Sequence, residues 1–109
     1  MGLLLKATKN EGRERNIWRF ALYDIGSNFV EVPMISRPFY VGYDKNTSLA
    51  YVWAVVDSTG KNEREMVEFF VIDDYRPFLD SRPMEYLGTA TEGIHFWHVF
   101  KVLKEGAKP

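Results

Sequence analysis

An all-β domain is the fold class predicted for this chain, and three observations predict it. Short apolar runs rich in β-branched and aromatic residues recur about every ten residues, separated by Gly, Asn, Asp, Ser and Pro. The strongest run, "LAYVWAVVD" (Leu49–Asp57), is apolar on both of its alternating faces, as a central strand covered on both sides would be. No linker is long enough to hold several crossover helices, which favours antiparallel neighbours. The expected form is an antiparallel meander closing into a small sandwich or partly open barrel, with at most one short helix.

The elements follow in order. "IWRFALY" (Ile17–Tyr23) predicts the first strand, and "DIGSN" turns the chain. "FVEV" (Phe29–Val32) is short and stops at Pro33, which has no N–H to continue a ladder. "RPFYVGY" (Arg37–Tyr43) and Leu49–Asp57 are joined by the turn "DKNTS", and "STGKNE" then forms a polar loop. "EMVEFFVI" (Glu65–Ile72) predicts the next strand, although "NEREMVEFF" also contains enough helix formers to make a helix over 62–69 the rival reading. "DDYRPFLDSRPMEYLG" is irregular because its two Arg-Pro steps resist helix before each proline; the one candidate short helix lies within Pro77–Met84. "EYLGTAT" (Glu85–Thr91) and "IHFWHVFKV" (Ile94–Val102) flank Glu92-Gly93, a hairpin signal.

This last run contains both histidines. If it is a strand, Ile94, Phe96, His98, Phe100 and Val102 share one face, and His95, Trp97, Val99 and Lys101 share the other. His95 and His98 then point apart and cannot chelate one ion. His98 lies on the face with more apolar neighbours and is expected as a core or pocket histidine with a satisfied hydrogen bond, or as a binding or proton-transfer residue.

The 109 residues suit one domain: a flexible segment over 1–15, a β domain over 16–103 and a flexible tail over 104–109. The absence of cysteine excludes disulfides, thiolate metal sites and cysteine nucleophiles. No apolar run reaches the length of a membrane span, the Leu3–Leu5 patch is too short for a signal peptide, and Lys6 stands where a myristoylation signal takes Ser or Thr. The expected setting is cytoplasmic, with no membrane partner. Charge is uneven: residues 1–20 carry a balance of +3 and residues 101–109 a balance of +2, leaving −6 on the body. So acidic a body repels a long polyphosphate, so no long nucleic acid is expected, while a small anionic ligand held by a few arginines is compatible.

No phosphate-binding glycine loop, nucleophile elbow or HExxH is present. Asp73-Asp74 could bind a cation, but adjacent carboxylates in a loop are usually solvated or capping. Neither metal nor cofactor is expected, and no residue marks a catalytic centre. The remaining signal is an aromatic content of 16% with scattered arginines: Arg37 before "PFYVGY", Tyr75-Arg76, Arg82, and Trp18-Arg19. Aromatic faces stack on bases and arginine forks onto phosphate, a combination suited to a nucleotide.

Three stretches together carry a resemblance: "VEVP" (Val30–Pro33), "YVWAVVD" (Tyr51–Asp57) and "YLGTATEGIHFWHVFK" (Tyr86–Lys101). The chain resembles, over residues ~16–102, a family of small, mostly phage-encoded β proteins, similar to the phage sponge proteins that counter the bacterial cyclic-oligonucleotide defence CBASS. Many members have a Thr-Gly-His step after the middle strand; this chain has "VIDDYRPF" (Val71–Phe78) there. The resemblance implies a homo-oligomer in the host bacterial cytosol. It would sequester a cyclic dinucleotide in a non-catalytic pocket between subunits. Within the matching motifs Trp53, Thr89 and His98 are the candidate ligand contacts; outside them Arg37, Tyr75, Arg76 and Arg82 are chosen by chemistry. The alternatives are a protein-interaction module, such as a phage accessory or inhibitor protein acting on a host protein, and a small hydrolase of a signalling nucleotide that would use Asp73-Asp74.

Overall fold

The computed structural model describes residues 15–33, 36–57, 64–74, 77, 78 and 80–104. Among these residues, seven strands build two facing sheets: β1 (Arg15–Leu22), β2 (Gly26–Pro33), β3 (Ser36–Asp44), β4 (Leu49–Asp57), β5 (Arg64–Asp73), β6 (Met84–Glu92) and β7 (His95–Val102). One sheet has the order β1-β4-β3 and the other β2-β5-β7-β6. All pairings are antiparallel. The architecture is a sandwich rather than a closed barrel. Consecutive pairing holds for the hairpins β3–β4 and β6–β7; the other neighbours are interleaved, because the chain changes sheet after β1, β2 and β4.

Glu65–Phe69 lies in β5, so the helical rival fails there: its alternate residues Val67, Phe69 and Val71 are buried, a period of two. The described residues between 77 and 84 form no helix either. The second strand is longer than its apolar run. It begins at Gly26 because Asn28, 7% exposed, organises the preceding turn. The Asn28 Oδ1 accepts from the N–H groups of Tyr23 (2.8 Å) and Asp24 (3.0 Å), while Nδ2 donates to the carbonyls of Asp24 (2.8 Å) and Gly26 (3.2 Å). One side chain thus replaces four backbone partnerships. The β6–β7 turn contains Gly93 and Ile94 between the paired residues Glu92 and His95. Gly93 has φ 63°, the positive value that a II′-type turn requires at its first central position.

The core lies between the sheets. Leu22, Val32, Val41, Val52, Val67, Phe69, Val71, Ala90 and Val99 form one buried cluster, with Phe20, Tyr43, Leu87 and Trp97 packed against it. Tyr43 of β3 and Trp97 of β7 stack across the sandwich, with centroids 5.5 Å apart and planes 17° apart. Two expectations about faces change here. β7 turns Trp97 and Val99 inward, so Phe96, His98 and Phe100 lie on the outer side; His98 is not a core residue. β4 is central in its sheet, but only Ala50, Val52, Ala54 and Val56 face the opposite sheet. On its other face Tyr51 is buried, while Leu49, Trp53 and Val55 are half-buried. His95 shares the inward parity with Trp97 and stacks on it at 5.8 Å, on the face opposite to His98.

β5 and β6 both run antiparallel to β7 and are therefore parallel to each other. Asp73 ends β5 beside Trp97, and Met84 begins β6 beside Val102. The chain must travel back along five residues of β7, about 17 Å at the rise of a strand, to start again. Of the described residues that follow, Phe78 and 80–83 lie over the outer face of the four-stranded sheet. Phe78 packs on Phe70 at 6.2 Å, and the N–H of Leu103 donates to the carbonyl of Pro83 at 3.0 Å.

Candidate functional site

The outer face of the three-stranded sheet can be read row by row from the register. Arg19, Trp53 and Tyr40 form one row across β1, β4 and β3; Ala21, Tyr51 and Gly42 form the next; Ile17, Val55 and Arg37 lie on the other side. Trp53 sits between two tyrosines, 5.4 Å from Tyr40 and 5.7 Å from Tyr51, all three rings tilted. The Arg19 side chain crosses β4 diagonally. Its guanidinium lies 3.9 Å above the Tyr51 ring and Nη1 donates to Asp44 Oδ2 at 2.8 Å. This hydrogen bond, with the Asn46 N–H donated to Asp44, holds the Asp44 carboxyl below its ordinary range and raises Arg19.

Tyr51 is only 7% exposed although it points away from the core, because Arg19 and Trp53 cover it and its hydroxyl meets that of Thr47 at 3.0 Å. Tyr40, by contrast, is 57% exposed. Its ring leans over Gly42, where an added Cβ would come within 2.8 Å of Cε2. An aromatic shelf of mutually tilted rings results, edged by Arg19 and the exposed Arg37. Arg19 entered the sequence reading only as the neighbour of Trp18. Its place over Tyr51 depends on the pairing of β1 with β4, which are distant in sequence, so no local pattern could reveal it.

Of the sequence-chosen residues, Trp53 and Arg37 therefore share this face. Arg82 does not join them. It lies against the opposite sheet, with Nη1 and Nη2 donating to Glu68 Oε1 and Oε2 at 2.8 and 3.0 Å, and with Nε and Nη2 donating to Asp80. Its donors are committed to two carboxylates, which argues against a role on a ligand phosphate. Tyr75 and Arg76 lie outside the described residues.

Thr89 and His98 are brought together, on the outer face of the four-stranded sheet. They are cross-strand partners in β6 and β7. The imidazole Nε2 is 2.7 Å from Asp74 Oδ1, and Nδ1 is 3.0 Å from Thr89 Oγ1. A carboxylate only accepts, so Nε2 carries a proton, and in the neutral imidazole Nδ1 is then the acceptor for the Thr89 hydroxyl. The Tyr86 hydroxyl is hydrogen-bonded to the same Thr89 oxygen. The satisfied hydrogen bond expected of His98 is thus present at both ring nitrogens. Asp74 pairs with this imidazole, and among the described residues no group of three or more His, Asp or Glu could hold a metal ion. Nor is any helix among them long and apolar enough to cross a membrane.

A family described as a domain of unknown function (DUF7352) matches residues 13–108. Neither the curated proteins nor the solved structures contain a match.

Proposed function

The chain belongs to the DUF7352 family, a domain of unknown function, and from the geometry of its outer face we propose that it is a binding protein for a small anionic ligand with planar rings, of the cyclic-dinucleotide class. The observation that carries this reading is the row Arg19–Trp53–Tyr40 with Tyr51 beneath Arg19. Its rings offer π-faces to a base, and Arg37, on the neighbouring row, offers two parallel donors to a phosphate. The shelf lies on one open sheet face and would cover only one side of a dinucleotide. A second copy of the chain facing it would close the other side, the arrangement implied by the resemblance to phage sponge proteins. Capture of this kind needs affinity and copy number rather than turnover, and would suit a phage protein acting in the host cytosol against a cyclic-oligonucleotide signal.

A second reading uses the same shelf. Tyr, Trp and Arg are also the residues that anchor protein interfaces, so a host protein could be the partner. Titration with a panel of cyclic di- and trinucleotides separates the two, read by thermal shift and tryptophan fluorescence. The expected result is stabilisation by at least one ligand, recovered intact after denaturation, and a loss of affinity of about tenfold or more in Trp53→Ala, the value of one stacked base. No response to any of them at micromolar concentration, or a response unchanged in Trp53→Ala, would overturn the nucleotide reading. A host protein released by Tyr40→Ala would favour the second.

A further inference from the structure

The line Asp74–His98–Thr89–Tyr86 lies on the opposite side of the sandwich from the aromatic shelf, and the binding reading makes no use of it. Its parts meet the geometric requirements of nucleophilic catalysis: a hydroxyl within hydrogen-bond reach of a base, and a base held by an acid. Thr89 Oγ1 is 3.0 Å from His98 Nδ1, and His98 Nε2 is 2.7 Å from Asp74 Oδ1. The imidazole and carboxylate side chains are 33% and 35% exposed, so a substrate can approach them. Tyr86, 56% exposed, places a phenolic O–H beside the reacting oxygen. We propose that Thr89, His98, Asp74 and Tyr86 form a hydrolytic site for small neutral carboxylic esters.

Each residue has a role set by its place. The Thr89 oxygen attacks the ester carbonyl while its proton passes to His98 Nδ1. The Tyr86 O–H, turned from Thr89 towards the substrate, donates to the oxyanion that forms. The carbon–oxygen bond to the alcohol then breaks, and the alcohol leaves with the proton held on Nδ1. The acyl group remains on Thr89. Water, deprotonated by the same nitrogen, attacks this second ester and releases the acid; the proton returns to the Thr89 oxygen. Asp74 is a positioning residue, since its carboxylate keeps the proton on Nε2 and leaves Nδ1 free to act as base.

The surroundings select the substrate class. On the outer face of β7, Phe96 and Phe100 lie two residues to either side of His98, and Phe100 packs on Tyr86 at 5.4 Å. These rings offer an apolar acyl group a surface to pack on. The line itself carries one formal charge, the Asp74 carboxylate, which disfavours a phosphodiester and tolerates a neutral ester.

The test uses the full chain and p-nitrophenyl acetate and butyrate. The expected result is a burst of p-nitrophenol approaching one equivalent, slow turnover after it, and an acyl group located by mass spectrometry at position 89. Thr89→Val should abolish the burst, and His98→Ala should slow it by about a hundredfold or more, the contribution of a general base. Tyr86→Phe should lower the rate while leaving the melting temperature nearly unchanged. Asp74→Asn should lower kcat and leave KM alone, a split that a purely structural contact would not produce. Should Thr89→Val not fold, Thr89→Ser decides, because it keeps the hydroxyl and must take up the label at the same position. Label on lysine or imidazole alone, or equal rates in wild type and Thr89→Val, would overturn the proposal. Ligand binding at Trp53 would be untouched by either outcome.

Discussion

Arg82 holds Glu68 in a two-pronged grip, each guanidinium Nη donating to a different carboxylate oxygen. The same arginine binds Asp80, two residues before it, through Nε, Nη2 and its own backbone N–H. Ser27 Oγ donates to Glu68 from the other side at 2.6 Å. Four residues from β2, β5 and the returning connection are therefore tied at one point. This tie holds the segment 80–83 against the outer face of the four-stranded sheet.

An acid limb of stability follows from that tie. Hydrogen bonds from Arg82 hold the Asp80 carboxyl down at about 2 and lower Glu68 as well. A carboxyl lowered in the folded state stabilises the fold above its unfolded pKa, and this contribution is lost as pH falls through the folded value. Stability should thus decline from about pH 4, the ordinary carboxylate range, towards pH 2. Arg82→Ala should flatten this part of the curve, measured by urea midpoint against pH; an unchanged slope would contradict the tie.

Gly42 leaves room for the Tyr40 ring. A methyl group there would meet that ring at 2.8 Å, but the ring is exposed and can swing outward. Gly42→Ala should therefore cost little stability while displacing Tyr40 from Trp53. The expected readings are a changed tryptophan emission and weaker ligand binding, with a melting temperature close to wild type.

Asn28→Ala removes all four hydrogen bonds of the β1–β2 turn at once. Two of the groups left behind are backbone N–H donors beside a buried site. The expected loss is about 2 kcal/mol, the cost of leaving such groups partly unsatisfied. Chemical denaturation would measure it. A loss below about 0.5 kcal/mol would mean that water replaces the side chain fully.

Ser48 has φ 61° at the end of the β3–β4 turn, where its N–H donates to the Asp44 carbonyl at 2.8 Å. A residue with a Cβ is strained there, and glycine is not. Ser48→Gly should raise stability by about 0.5–1 kcal/mol, the balance of relieved strain against added unfolded-state freedom. A lower melting temperature in this variant would show that the strain is absent.

The candidate residues were legible to different degrees. Thr89 and His98 face each other because both lie on strands joined by a two-residue turn, and the Glu92-Gly93 signal announced that hairpin. Trp53 and Arg37 share a face through the β3–β4 pairing, also local. Asp74 is 24 positions from His98 and meets it only because the chain leaves β5 beside β7. In sequence Arg82 is a candidate ligand contact chosen by its chemistry. Asp80 stands only two residues away, but Glu68 became a partner only once residues 80–83 had been laid against the sheet.

By itself, the sequence determined what depends on near neighbours: the strands, their turns, and the alternation that sends His95 and His98 to opposite faces. A period of two is written into every extended segment, and a turn needs only the residues it contains. Tertiary structure decided which face turns inward, the interleaved strand order and the residues that meet across it. β4 is apolar on both faces and β7 is mostly apolar on both, so hydrophobicity could not choose between inside and outside. The choice fell to the packing of Trp97 and Val99 against the opposite sheet, a contact between residues far apart along the chain.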